Sequence, residues 1–208
     1  VYVWNAALSL QVVRLLKQVA PGVVVVVGGP EVSHESELQE ICRLADHVVR
    51  GEADLAFRDL CRAVLAGTAA PQTIDAPLPH FADLQWPYDE YSDADIAHRI
   101  VYVESSRGCP FTCEFCLSAL DVPVRKADTA AFLAQMDRLL ARGVRHFKFV
   151  DRTFNLGIAT ATAILRFFRE RWQDGMFLHF ELVPDRLPEE LRAEIAAFAP
   201  GALQFEVG

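Results

Sequence analysis

No apolar run in this 208-residue sequence approaches the roughly 18–20 residues needed to cross a bilayer. The longest β-rich run, Val23 to Val27, stops at Gly28-Gly29. A charged leader with a cleavage site is missing as well, since the chain opens Val1-Tyr2-Val3-Trp4. A cytoplasmic, reducing location without a membrane role is the resulting expectation. Positive charge is in deficit: 20 Lys and Arg stand against 28 Asp and Glu, for a net charge of −8. Phosphate-binding surfaces are usually basic, so no nucleic-acid partner is expected. Internal repeats and low-complexity tracts are absent. The first residue is not Met, and both termini fall inside strand-like segments, which reads as a piece of a longer protein. Cysteine is scarce, at five residues. In a reducing setting these are metal ligands or buried thiols rather than disulfides.

What is present is a βα alternation in two halves. Hydrophobic residues make up 52% of the chain, enough for a sizeable core. In the first half, a strand at Val1 to Trp4 is expected. A helix follows near Leu8 to Val19, with Leu8, Val12, Leu15, Leu16 and Val19 at helical spacing. Then come the valine strand Val23 to Val27, a helix near His34 to Arg43 with Ser33 as N-cap, a strand at His47 to Arg50, and a helix from Asp54 to Ala66. A solid apolar strand between helices signals a parallel sheet covered on both faces. Residues 1–70 therefore read as part of a doubly wound α/β domain. Pro71, Pro77, Pro79 and Pro87 mark residues 71–100 as a linker. From 101 to 208 the alternation resumes. Strands are expected at Ile100 to Glu104, His146 to Val150, Phe177 to Leu182 and Leu203 to Val207. Helices are expected at Thr129 to Ala141, Ile158 to Trp172 and Pro188 to Phe198. This parallel repeat belongs to a barrel or an open sheet.

The sharpest signal is Gly108-Cys109-Pro110-Phe111-Thr112-Cys113-Glu114-Phe115-Cys116, three thiols within eight residues directly after an expected strand. Ligand crevices lie at the C-terminal ends of such strands. Thiolates suit iron–sulfur clusters, and one loop at this spacing can wrap three corners of a cubane. Three cysteines leave one iron open to a substrate or cofactor, whereas an electron-transfer cluster normally takes four. Cys42 and Cys61 fall inside helical patterns and read as small hydrophobes. A structural zinc site would call for a fourth Cys or His at paired spacing.

The pattern Cys109-x3-Cys113-x2-Cys116, with Phe115 before the last Cys and the lead-in Glu104-Ser105-Ser106-Arg107-Gly108, resembles the signature of radical S-adenosylmethionine (SAM) enzymes. The resemblance implies a [4Fe-4S] cluster, SAM bound at its open iron, and reductive cleavage of SAM to a 5′-deoxyadenosyl radical. It also implies part of a (β/α)6 partial TIM barrel and an electron donor such as flavodoxin or ferredoxin. Carried over by position, Asp151, Arg152, Thr153 and Phe154 lie where the family supplies backbone contacts to the SAM amino group, although the Gly-Gly-Glu of many members is not found there. Glu181 matches a strand-borne acid that contacts SAM in some members. A salt bridge to a neighbouring Arg is its plain structural role, since an acid in an apolar strand is costly unless partnered. Glu206 follows the same logic. Phe115 is expected near the adenine. Arg107 and Arg125 would neutralise carboxylates or form surface ion pairs.

The runs Val26-Val27-Gly28-Gly29-Pro30-Glu31-Val32-Ser33 and Val48-Val49-Arg50-Gly51-Glu52-Ala53 resemble the cobalamin (B12)-binding domain that precedes many radical SAM domains. If cobalamin binds, the candidate contacts are Trp4, Asn5, Gly28, Gly29, Gly51 and Glu52, all at expected strand ends. His34 reads as a surface residue. The whole chain is thus similar to the group that includes anaerobic magnesium-protoporphyrin IX monomethyl ester cyclases and radical SAM methyltransferases. The expected function is SAM cleavage acting on a small-molecule substrate, by cyclisation, methyl transfer or related C–H chemistry. The alternatives are an iron–sulfur electron-transfer or cluster-carrier module, and a cobalamin-type binding or sensor protein.

Overall fold

The computed structural model describes residues 1–116 and 123–207. The chain divides into two compact units, Val1–Leu84 and a second that begins at Gln85. Among the described residues no helix is long and apolar enough to cross a membrane.

The first unit holds a parallel sheet of three short strands in chain order: β1 (Val26–Gly28), β2 (His47–Arg50) and β3 (Thr73–Asp75). Its helices are α1 (Ala6–Val19), α2 (Pro30–Ser33), α3 (Glu40–Leu44) and α4 (Asp54–Leu65). The core joins Val13, Val25, Val27, Val32, Ile41, Cys42, Ala45 and Val48. Branched valines fit a pleated, covered surface, and Cys42 packs among them as the small hydrophobe expected. Burial raises the pKa of its thiol.

Five local expectations change here. Val1 to Trp4 is not a strand. The Asn5 N–H donates to the Tyr2 carbonyl at 3.0 Å and the Asn5 side chain accepts from the Tyr2 N–H at 2.8 Å, so an Asn turn takes up the backbone a ladder would need. Only the last two valines of the valine run enter β1, because β2 offers partners to Val26, Val27 and Gly28 alone. The single helix expected at 34–43 is split by Glu35, whose φ of +47° is incompatible with a continuing helix. The apolar stripe of α1 is also turned. Leu8, Val12, Leu15 and Val19 are exposed, while Val13 is buried and Leu10 and Leu16 pack on the core. The sequence carries two apolar stripes on this helix, and periodicity cannot choose between them. Finally, β3 falls inside the span read as linker. Arg50 ties it to β2 through two hydrogen bonds to Asp75, at 2.6 and 2.8 Å, and these lower the Asp75 pKa.

The second unit opens with α5 (Asp93–His98), which a Ser92–Asp95 capping box starts. Then follow β4 (Val101–Val103), a two-stranded antiparallel ribbon of β5 (Ser106–Arg107) and β6 (Arg125–Lys126), and α6 (Thr129–Ala141). The rest alternates: β7 (His146–Phe149), α7 (Ile158–Glu170), β8 (Phe177–Leu182), α8 (Glu189–Ala196) and β9 (Leu203–Val207). The sheet is parallel in the order β4-β7-β8-β9, each strand beside the last. The strands expected from sequence are thus present, shortened by a residue or two at the ends of β4 and β7.

Strand alternation gives this sheet one apolar and one polar face. On the apolar face, Phe180 lies 4.4 Å from the Phe149 ring and 4.2 Å from that of Phe154, and Phe147 meets Phe168 edge-on at 5.0 Å. Phe132, Met136, Ile164, Leu165 and Leu191 close over it from the helices. On the polar face, Lys148, His179 and Gln204 stand in register, with Glu181 beside Glu206 one pleat further on. Edge strand β4 is covered by two tyrosines. Tyr91 Oη accepts from the Tyr102 N–H at 3.1 Å, and Tyr88 Oη accepts from the Glu104 N–H at 3.1 Å. Burial pushes the Tyr88 hydroxyl above the ordinary phenol range.

Candidate active site

The cysteine loop leaves the C-terminal end of β4, as its position after a strand implies. The approach is closely held. The Ser105 carbonyl accepts from the Ala127 N–H at 2.9 Å, and Ser106 and Arg107 pair with Lys126 and Arg125. Gly108 then turns the chain at φ +91°, a conformation that costs a residue with a Cβ. Cys109 is buried, whereas Cys113 and Cys116 are exposed, joined by a turn in which the Cys116 N–H donates to the Cys113 carbonyl at 3.1 Å. Phe115 is 95% exposed, so its ring is free to meet a ligand but touches no core. Residues 117–122 lie outside the described chain.

Three thiols on one loop match the donor preference of iron–sulfur clusters. Among the described residues no three His, Cys, Asp or Glu side chains converge to metal-holding distance. Thiolate sites commonly close around the metal instead of preceding it. The donor set fits a cluster, with one thiol buried and two exposed.

The neighbouring strand end differs from a simple ligand surface. Asp151 is fully buried. Its carboxylate accepts from the Ser105 N–H at 3.0 Å and from the Ser105 and Ser106 hydroxyls, both at 2.6 Å. Burial raises its pKa, and the serine hydrogen bonds oppose that rise. Thr153 and Phe154 are buried too, the Phe154 ring against Phe180. Of the four residues expected to contact SAM here, only Arg152 keeps an exposed side chain, and its guanidinium stands 3.8 Å from Glu181. Glu181 therefore has the Arg partner foreseen for it, on the polar face of the sheet. Glu206 pairs with Lys148 at 3.5 Å and with His179 at 3.2 Å. Arg107 binds Glu104 at 2.8 Å.

One residue escaped the sequence reading. Asn155 is fully buried and joins the ends of β7 and β8. Its Nδ2 donates to the Val183 and Arg186 carbonyls, each at 2.7 Å, and its Oδ1 accepts from the Val183 N–H at 2.9 Å. An Asn between Phe154 and Leu156 was the available clue, a polar group among apolar neighbours that requires partners.

In the first unit the strand ends are backbone and small residues. Gly29 has φ +103°, and a Cβ there would come within 2.8 Å of the Val1 backbone. Ser33 was expected as an N-cap. Instead its hydroxyl donates to the Gly29 carbonyl at 2.9 Å and accepts from the Gly51 N–H at 3.2 Å. The ends of β1 and β2, with Gly28, Gly29, Gly51 and Glu52, are thereby brought together. Trp4 is exposed and stacks on Tyr2 at 4.5 Å, and Asn5 forms the turn before α1.

No protein-family model matches the sequence. An uncharacterized methyltransferase of Pyrococcus horikoshii is 30% identical over 172 residues, covering 70% of this chain and 37% of that protein. The cobalamin-dependent radical SAM methyltransferase TokK of Streptomyces tokunonensis is 29% identical over 144 residues, covering 55% of this chain and 21% of its own length. The structure of the radical SAM methyltransferase TsrM of Kitasatospora setae, with tryptophan and a SAM analogue bound, superposes with a TM-score of 0.70 at 17% identity. That superposition covers 98% of this chain and 44% of TsrM, which has also been solved with cobalamin and a [4Fe-4S] cluster. The chain thus spans less than half the length of the proteins it matches. Its fold, two parallel α/β sheets in succession, is shared with the aligned part of TsrM. In sequence and fold the chain resembles the cobalamin-dependent radical SAM methyltransferases.

Proposed function

We propose that this chain is the part of a cobalamin-dependent radical SAM methyltransferase that holds the iron–sulfur cluster. The observation that carries the reading is the loop itself: three thiols, one buried and two exposed, mounted at the C-terminal end of a parallel strand and held at its base by the β5–β6 ribbon. The methyltransferase names of the relatives favour methyl transfer over cyclisation.

Cys109, Cys113 and Cys116 would bind three irons. A [4Fe-4S] cluster bound there would supply an open iron for the methionine part of SAM and one electron for its reductive cleavage. Arg152 and Glu181 offer a cation and an acid side by side, a pair suited to a zwitterionic amino acid group. Phe115 offers a free aromatic face for an adenine. Ser33, Gly29 and Gly51 present backbone at the first unit's strand ends, where cobalamin, as a methyl carrier, would dock. A small-molecule substrate and a flavodoxin- or ferredoxin-type electron donor complete the reaction.

Anaerobic reconstitution of the 208-residue chain with iron and sulfide tests this. The expected result is thiolate-to-iron charge-transfer absorption that the Cys109→Ala, Cys113→Ala, Cys116→Ala triple variant lacks, with 5′-deoxyadenosine formed from SAM and a reductant. A chain that takes up no cluster overturns the reading. A cluster whose spectrum SAM does not perturb supports the carrier module instead.

A further inference from the structure

Among the described residues of the second unit, Asp151 is a charged side chain with no exposed surface. We propose that Asp151 is a positioning residue: through Ser105 and Ser106 it fixes the chain's approach to Cys109, and so governs how well the three-thiol site retains iron. The proposal rests on the cluster reading above and adds to it a residue that touches neither iron nor SAM.

Three observations support it. First, the carboxylate spends its hydrogen-bonding capacity on the lead-in to the cysteine loop. It is fully buried, and its side-chain hydrogen bonds come from Ser105 and Ser106, 46 and 45 residues away in sequence. A buried carboxylate is costly unless its lone pairs are filled, and here an amide and two hydroxyls fill them. Second, both legs of the loop converge on those serines. The incoming leg contains them, and the outgoing leg is bound to them through Ala127 N–H to Ser105 O and the Ser106–Lys126 pairing. One side chain on β7's exit is thereby linked, through Ser105 and Ser106, to both the lead-in to Cys109 and the β6 strand. Third, the thiol nearest the clamp is the buried one. Cys109 follows Ser106 by three residues, while Cys113 and Cys116, further out, are exposed. Hydroxyls normally rotate, but two that donate to one carboxylate oxygen are held, and the backbone between them is held with them.

Asp151→Ala removes both acceptor oxygens and with them all three hydrogen bonds. Asp151→Asn can turn so that its Oδ1 accepts from the Ser105 N–H and its Nδ2 donates to both serine oxygens, which keeps the shape. The first readout needs no cluster: alkylation of individual cysteines in the apo chain, followed by peptide mass spectrometry. In Asp151→Ala, Cys109 should label roughly tenfold faster relative to Cys42 of the first unit, and Asp151→Asn should restore most of its protection. The second readout is decay of the cluster absorption under an iron chelator, roughly tenfold faster in Asp151→Ala and rescued in Asp151→Asn. A variant that melts earlier yet leaves Cys109 labelling and cluster decay as in the parent would overturn the proposal. If the parent binds no cluster, the cluster reading fails alone, and Cys109 labelling still decides the clamp. If Asp151→Ala does not fold, Ser106→Ala, which removes one bond, is read the same way.

Discussion

The two units end their strands in opposite ways. In the first, β1 ends in Gly28, with Gly29 and Gly51 just past the β1 and β2 ends, and one small hydroxyl, Ser33, spans them. In the second, the β4, β7 and β8 ends are tied by buried polar side chains, Asp151 toward the cysteine loop and Asn155 toward residues 183–186. At the glycine edge backbone meets backbone: Val1 packs on Gly29, and its N-terminus donates to the Gly28 carbonyl. A side-chain edge spends its polar groups internally and leaves the ligand face to the loops it fixes. The first is backbone packed on backbone, the second a frame that aims a loop.

That contrast can be broken by substitution. The largest effect is expected at Asn155. Asn155→Ala strands two carbonyls and an N–H of the β8 exit, and should cost about 3 kcal/mol in denaturant unfolding of the second unit. A cost near zero would mean that water replaces the amide and that side chains do not hold this edge. Gly29→Ala should cost about 2 kcal/mol, since φ +103° with ψ 176° is a region essentially reserved for glycine. If alanine is tolerated there, the glycine edge is not conformationally required. The smallest effect lies away from both edges. Glu194 on α8 accepts from Arg166 at 2.9 Å and Arg169 at 3.0 Å on α7. Burial alone would raise its pKa, but the two guanidinium hydrogen bonds outweigh it and the pKa is lowered. A lowered carboxylate pKa stabilises the fold above the unfolded value, and that contribution is lost as pH falls through the folded one. Glu194→Gln should therefore cost less than about 1 kcal/mol at neutral pH, the arginines being solvent-screened, and nothing in acid well below the ordinary value of 4.5. Urea unfolding of parent and variant at neutral pH and near pH 3 checks both the size and the sign.

Much of the architecture was legible because it is written in short-range pattern. Strands β7, β8 and β9 stood out as runs with Phe and Leu on alternate positions, and α6 and α7 as periodic segments with start and stop signals. The misreadings share a cause. Val1 to Trp4 looked like a strand until Asn5 bent it into a turn. The stripe Leu8, Val12, Leu15, Leu16 and Val19 looked like one buried face, yet of these only Leu16 packs on the core, beside Leu10 and Val13. Strand β3 was hidden by flanking prolines and became visible only through the Arg50–Asp75 pairing.

The site divides along the same line. Three thiols at Cys109, Cys113 and Cys116 were determined by sequence alone, since donor chemistry and loop spacing are local properties. So were the glycines at the first unit's edge. What only the tertiary structure decided is which polar groups face each other across long separations. Asp151, in a segment expected to offer its backbone to SAM, sends its side chain to Ser105 and Ser106; Asn155 attracted no role, and it joins two strand ends. Both outcomes follow from one physical constraint, that a polar side chain carried into a core must be met by partners there. Where those partners lie in the sequence is set by the order of strands in the sheet, which no local pattern records.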